Sequence, residues 1–265
     1  MIVKANGINI NYEVKGNGEN LVLIHGAGDN LNMWYNQFPV FSKGYRTIIY
    51  DVRGSGKTES PKGDYSVSLF VEDLYSLMKT IEVEEAFFLG FSMGGRIALE
   101  LAIDYPDMVK ALILANSSPV SRPPSANVQK MRQTNIDLLE KGDIEKFAET
   151  MARSALSPDF QSRNPSAYKK YVKVKAQNKP EGLVRLMKTL DVRASPPDLS
   201  KIQCPVLLIV GENDLVMGIE QGKQAHQAMP GSKSVVMPTG HASAIEMPDK
   251  FNLTVLEFLS EIKMV

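Results

Sequence analysis

Cysteine is nearly absent from this chain: Cys204 is the only one among 265 residues. A single thiol excludes an intramolecular disulfide framework. Its setting, Gln203-Cys204-Pro205-Val206-Leu207-Leu208, reads as a small apolar filler at the entry to a buried strand. Net charge is absent as well, with 30 basic residues balancing 30 acidic ones. No whole-molecule field therefore draws in nucleic acid or an anionic membrane, and neither partner is expected. No apolar run approaches the about 18–20 residues needed to span a bilayer. The opening Met1-Ile2-Val3-Lys4-Ala5-Asn6-Gly7 lacks the basic start and apolar stretch of a secretory signal, so the expected location is the cytoplasm. Histidine is scarce, at three residues. No His/Cys/carboxylate cluster has metal-ligand spacing, so neither a metal nor a cofactor is expected.

What is present is alternation. Asn6-Gly7 between the runs Ile2–Ala5 and Ile8–Val14 is a hairpin signal, because both turn residues tolerate positive φ. Short, almost wholly apolar runs follow at Leu21–Ile24, Thr47–Tyr50, Ala86–Leu89, Ala111–Ala115, Val206–Val210 and Val235–Met237. Such runs suit strands of a parallel sheet, covered on both faces. Between them, 67–81 and 97–105 carry apolar residues at three-and-four spacing. Strand and helix in alternation predict an α/β fold, a mostly parallel sheet opened by a hairpin. One stretch breaks the pattern. Residues 117–199 contain no convincing buried strand, and prolines cluster at both ends (Pro119, Pro123, Pro124; Pro196, Pro197). Helix-like pieces at Val128–Lys141, Ile144–Ala155, Ala167–Gln177 and Leu183–Leu190 lie between them. The expectation is a core of 1–116 and 200–265, with 117–199 a helical cap inserted into it.

The most specific chemical signal is Gly90-Phe91-Ser92-Met93-Gly94-Gly95, where an apolar strand runs through Gly-x-Ser-x-Gly directly into an amphipathic helix. So sharp a turn strains its central residue and projects that side chain above the sheet, which makes Ser92 the candidate nucleophile. A serine needs a base. His226 sits mid-helix among Ala and Gln and reads as a surface or packing residue; His25 follows the first parallel strand. His241 follows the last strand run, at the sheet edge where sites of such folds gather, and is the candidate base. For the carboxylate that orients the imidazole, Gly211-Glu212-Asn213-Asp214 follows another strand. Asp214 is favoured over Glu212 because its later position lets the loop fold back, and Ser92, Asp214, His241 is the chain order of an α/β-hydrolase triad. Asp51 precedes the nucleophile and reads as a structural turn residue paired with Arg53. After the strand ending at Ala115 stands Asn116, not an acid. Oxyanion donors are expected from the backbone amides of Met93 and of Ala27, the latter in His25-Gly26-Ala27-Gly28.

These pieces resemble the α/β-hydrolase superfamily, especially its small capped bacterial esterases, 3-oxoadipate enol-lactonases and meta-cleavage-product hydrolases. Gly240-His241 with Glu246, Pro248 and Phe251, and Asp51-Val52-Arg53-Gly54-Ser55-Gly56, belong to the same likeness. The resemblance implies a metal-free serine hydrolase with a helical cap over its site, acting on small carboxylic esters through an acyl-enzyme. Enol-lactone hydrolysis, carbon–carbon bond hydrolysis and a weakly catalytic ligand receptor are the alternatives. Carbon–carbon hydrolases of this kind typically carry tryptophan after the histidine and asparagine before the serine; here those positions are Ala242 and Phe91. Within the insertion, Met131, Met151 and Met187 are candidates for an adaptable apolar access route, or else for ordinary packing between insertion and core. Arg185 is a candidate partner for an anionic substrate.

Overall fold

The computed structural model describes residues 1–117, 126–189 and 197–262. Eight strands form one sheet: β1 (Ile2–Ala5), β2 (Ile8–Lys15), β3 (Asn20–Ile24), β4 (Arg46–Tyr50), β5 (Ala86–Phe91), β6 (Val109–Ala115), β7 (Val206–Gly211) and β8 (Lys233–Met237). Their spatial order is β1-β2-β4-β3-β5-β6-β7-β8. Asn6 and Gly7, at φ 45° and 77°, close the β1–β2 hairpin in the left-handed region that this dipeptide favours. β2 is also antiparallel to β4, and every later pair is parallel. The predicted alternation is thus present, with α1 (Phe38–Phe41), α2 (Val67–Thr80) and α3 (Met93–Asp104) in the first half. Between β6 and β7 stand α4 (Ala126–Glu140), α5 (Ile144–Ala155), α6 (Phe160–Arg163), α7 (Pro165–Lys175) and α8 (Pro180–Thr189), and no strand is present among the described residues there. The chain ends with α9 (Ile219–Ala228), α10 (Ser243–Glu246) and α11 (Pro248–Ile262). Of the prolines flanking the insertion, Pro119, Pro123, Pro124 and Pro196 lie outside the described residues.

Strand period decides which layer each side chain joins. Val22, Ile48, Phe88, Leu112 and Leu208 face α2 and α3, through Phe70, Leu74 and Ile97. Their neighbours Leu21, Leu23, Phe87, Ile113 and Leu207 face the other way, onto Trp34, Phe41 and α11 through Phe251 and Val255. β8 departs from the expectation of strands covered on both faces. It is the edge of the sheet, and Lys233, Ser234 and Val236 are exposed. Cys204 is half-buried just before β7, and burial pushes its thiol up to about 11, as suits a filler rather than a nucleophile. Among the described residues no helix is long and apolar enough to cross a membrane.

The pairing of Asp51 with Arg53 is corrected by the structure. Arg53 instead grips Asp73 of α2 in a buried fork, Nε to Oδ2 at 2.7 Å and Nη2 to Oδ1 at 2.6 Å. Asp51 gathers donors around its own turn: the Asn11 amide at 2.8 Å, Leu31 N at 2.8 Å and Lys57 N at 2.9 Å. A guanidinium and carboxylate two positions apart would need the chain to double back, whereas the first turns of α2 present Asp73 squarely to the fork. Asp73→Ala leaves a buried guanidinium without its partner and is expected to cost about 3–5 kcal/mol in urea denaturation. Wild-type stability in that variant would show the fork to be dispensable.

Candidate active site

The order β4-β3-β5 places a switch point at β3, because the chain leaves β3 to one side and returns through β5 on the other. Ligand sites of open α/β sheets lie at the carboxyl edge of such a point. Ser92 stands there, between β5 and α3, at φ 53° and ψ −117°. Glycine is demanded on both sides of it. A Cβ on Gly90 would lie 2.3 Å from the Gly94 carbonyl oxygen, and one on Gly94 would lie 2.3 Å from that of Ile24. The turn is therefore too tight for any other residue at those positions, and the strained serine is held by its surroundings, including the hydrogen bond that its amide donates to Ala115 O at 2.9 Å.

The structure brings together the three residues expected to act together. His241 Nε2 lies 2.9 Å from Ser92 Oγ, and His241 Nδ1 lies 2.8 Å from Asp214 Oδ2. With the proton on Nδ1 donated to the carboxylate, Nε2 is left to accept from the serine hydroxyl. The second oxygen of Asp214 accepts from Val216 N and Met217 N, both at 2.9 Å. Burial alone would raise the Asp214 carboxyl. The His241 ring and these two amides outweigh burial and hold it below the ordinary carboxylate range. Glu212 is exposed. Asn116, where the alternative acid would stand, donates from Nδ2 to Asp214 Oδ2 at 3.4 Å and to Gly240 O at 3.3 Å. His226 is exposed and bonded to Ser232 Oγ, as expected of a surface residue.

The turn at 26–29 abuts Ser92: a Cβ on Gly26 would approach Ser92 Cβ to 3.2 Å. Asp29 N donates to Gly26 O at 3.2 Å and Gly28 has φ 75°, so Ala27 occupies the first corner of a type II turn. His25 is fully buried beneath it, with Nε2 accepting from Val52 N and Nδ1–H donating to Gly26 O. Burial lowers its pKa, against the pull of Asp51, which fits a neutral structural imidazole. Met93 opens α3, where helix amides point free of internal partners. Ala27 and Met93 both line a cavity of about 210 Å³ that contains Ser92 and His241.

Inserted helices form much of the cavity wall. Met131, Met151 and Met187 all line it, joined by Met93 and Met217. The expectation for Arg185 is corrected: its Nη1 donates to Ser60 Oγ and Glu181 O, and it does not reach the cavity. Sequence reasoning missed the cationic residues that do line it, Arg96, Arg132 and Lys175. Arg96 is bonded to Glu100 and Lys175 to Asp29. It missed also that Glu246, which it had only as part of a motif, accepts from Gly240 N and Ser157 N, both at 2.8 Å, joining the histidine loop to the insertion. Among the described residues no group of three or more His, Cys, Asp and Glu side chains is placed to hold a metal ion.

Comparison with known proteins agrees with this architecture. Residues 19–248 match the family model described as alpha/beta hydrolase fold. A 3-oxoadipate enol-lactonase 2 of Acinetobacter baylyi is 29% identical over 253 residues, covering 95% of this chain and 93% of that protein. The crystal structure of the enol-lactonase from Burkholderia xenovorans superposes with a TM-score of 0.89 at 28% identity, covering 98% of this chain and 100% of that one. A thermophilic esterase from Thermogutta terrifontis gives a TM-score of 0.90 at 25% identity, covering 99% of each chain. Sheet order, strained turn and family match concur: the chain belongs to the α/β hydrolase fold family and is a hydrolase.

Proposed function

We propose that this hydrolase cleaves small carboxylic esters through an acyl-enzyme on Ser92. The observation that carries the reading is the continuous hydrogen-bonded line from Ser92 Oγ through His241 to Asp214, opening onto a largely apolar cavity. Ser92 Oγ attacks the ester carbonyl while His241 Nε2 takes its proton. The Met93 and Ala27 amides receive the charge that develops on the carbonyl oxygen. Collapse of the tetrahedral adduct, with His241 returning the proton to the leaving alkoxide, releases the alcohol. The same base then activates a water against the acyl-serine, freeing the acid and restoring Ser92.

Enol-lactones are the second reading, favoured by the two relatives that bear that name; a lactone is a cyclic ester and needs no different machinery. Phe91, tilted against the His241 ring at a centroid distance of 5.1 Å, keeps the surroundings of the serine apolar and disfavours a dienoate. Assays on p-nitrophenyl butyrate, an enol-lactone and a meta-cleavage dienoate decide among them. The expected kcat/KM is highest for the ester or the lactone. A hundredfold preference for the dienoate would replace the reading with carbon–carbon bond hydrolysis, and no turnover of any of them would favour a ligand receptor.

In this reading residues 117–199 act as a cap that selects the acyl chain, through unbranched methionines that adapt their shape. Met131→Ala and Met187→Ala are expected to raise kcat/KM for an octanoyl over an acetyl ester by about tenfold, the scale of a methylene or so in an apolar pocket. An unchanged chain-length profile in both variants would remove the cap from specificity.

A further inference from the structure

The turn that carries Ala27 has glycine on either side, so its own backbone does little to fix where the Ala27 amide points. The constraint comes from a distant part of the chain. The end of α7 and the residues just after it reach this turn at three successive positions. Asn178 Nδ2 donates to Gly28 O at 3.3 Å, Lys175 Nζ pairs with Asp29 Oδ1 at 2.7 Å, and Asn30 Nδ2 donates to Val174 O at 2.7 Å. Asp29 and Lys175 are each only 1% exposed, and Tyr171 Oη closes on the other Asp29 oxygen at 3.3 Å. The Lys175 ammonium also lies 4.4 Å from the Tyr171 ring centroid. Asn178 Oδ1 meanwhile accepts from Gly56 N at 2.7 Å, so its amide is fixed at both ends.

A buried ion pair is a poor device for stability, because desolvation consumes most of its attraction; its better-attested use is to fix one arrangement among several. One buried ion pair and two carboxamides, all tying a single glycine-flanked turn beside the nucleophile to the end of α7, fit the second use. We propose that Asp29, Lys175 and Asn178 are positioning residues, by which α7 holds the Ala27 amide in register with Met93 as the second oxyanion donor. The inference rests on the serine-hydrolase reading above. It makes the inserted helices part of the catalytic geometry: any movement of α7 away from the turn releases the Ala27 amide.

The alternative is a plain staple between insertion and core, and a pair of variants separates the two. Lys175→Met leaves Asp29 buried without its cationic partner, so it is expected to lower both Tm and activity. In Asp29→Leu/Lys175→Met no charge is stranded, and Tm is expected to recover to near wild type. If the pair positions the turn, kcat on p-nitrophenyl butyrate stays down by about 10- to 100-fold in the double variant, with KM within about threefold. A butyl trifluoromethyl ketone, which forms an oxyanion adduct on the serine, should lose affinity by the same factor as kcat/KM, since both read the same donor. Wild-type kcat in the double variant, or a raised KM at unchanged kcat, overturns the proposal. Should Lys175→Met fail to fold, the double variant alone carries the test. Ser92→Ala run beside it keeps the two readings apart: if that variant retains activity, the serine mechanism fails, whatever the clamp does.

Discussion

Ser92→Ala is expected to lower kcat on p-nitrophenyl butyrate by about 10⁴-fold or more while leaving KM and the melting temperature close to wild type. The hydroxyl is hydrogen-bonded to the His241 ring nitrogen and is a small group, so its removal costs chemistry and little structure. Ser92→Gly should lose as much activity and gain stability. At φ 53° and ψ −117° a side chain is strained by about 1–3 kcal/mol, and glycine is not. A higher Tm in a dead enzyme would show the strain to be stored for catalysis. His241→Ala should match the loss in kcat but also lower Tm, because it strands the buried Asp214 carboxylate. Full activity in a folded Ser92→Ala protein would end the serine mechanism.

The second large effect is expected at Asp214. Asp214→Asn should cost about 10³- to 10⁴-fold in kcat, because a carboxamide can turn its N–H toward the imidazole and favour the wrong tautomer. Glu212→Gln should stay within a few fold of wild type, as its side chain is exposed to solvent. Activity retained in Asp214→Asn and lost in Glu212→Gln would move the acid to Glu212. The same carboxyl links stability to pH. Its folded pKa is depressed, so its stabilisation is present above the unfolded carboxylate value of about 4 and is lost as pH falls through the lower folded value. Thermal melts from pH 6 downward should therefore fall less steeply at the acid end for Asp214→Asn than for wild type. Parallel curves would mean that the carboxyl is not perturbed.

Features that depend on neighbours in sequence are legible in the sequence itself. Asn6-Gly7, the apolar strand runs and the glycines around Ser92 each announce a local backbone demand, and the structure meets each of them. The line from Ser92 through His241 to Asp214 was legible because all three follow strands of one sheet, whose carboxyl edge gathers them. Partnerships across long separations were not. Arg53 finds Asp73 and Lys175 finds Asp29 only because the chain folds α2 and α7 back onto the sheet edge, and nothing in their spacing marks the partner. Arg185 failed as a candidate for the same reason: helical period says that α8 has a buried face but not which cavity that face adjoins. β8 reads as apolar at Val235–Met237, yet sheet order leaves it with a neighbour on one side alone.

Glu246 accepts from Gly240 N of the histidine loop and from Ser157 N and Oγ of the segment after α5, so one carboxylate joins the last loop of the sheet to the insertion. Insertions between β6 and β7 invite transplantation, since both ends join the sheet at adjacent strands. A graft of foreign helices would leave Glu246 with the Gly240 amide but without the Ser157 hydroxyl that donates to its second oxygen, and a carboxylate short of a donor would pull on the loop that presents His241. Recombination of such insertions among relatives should therefore succeed when the residues at 157 and 246 travel as a pair, and give folded but sluggish chimeras when they are separated.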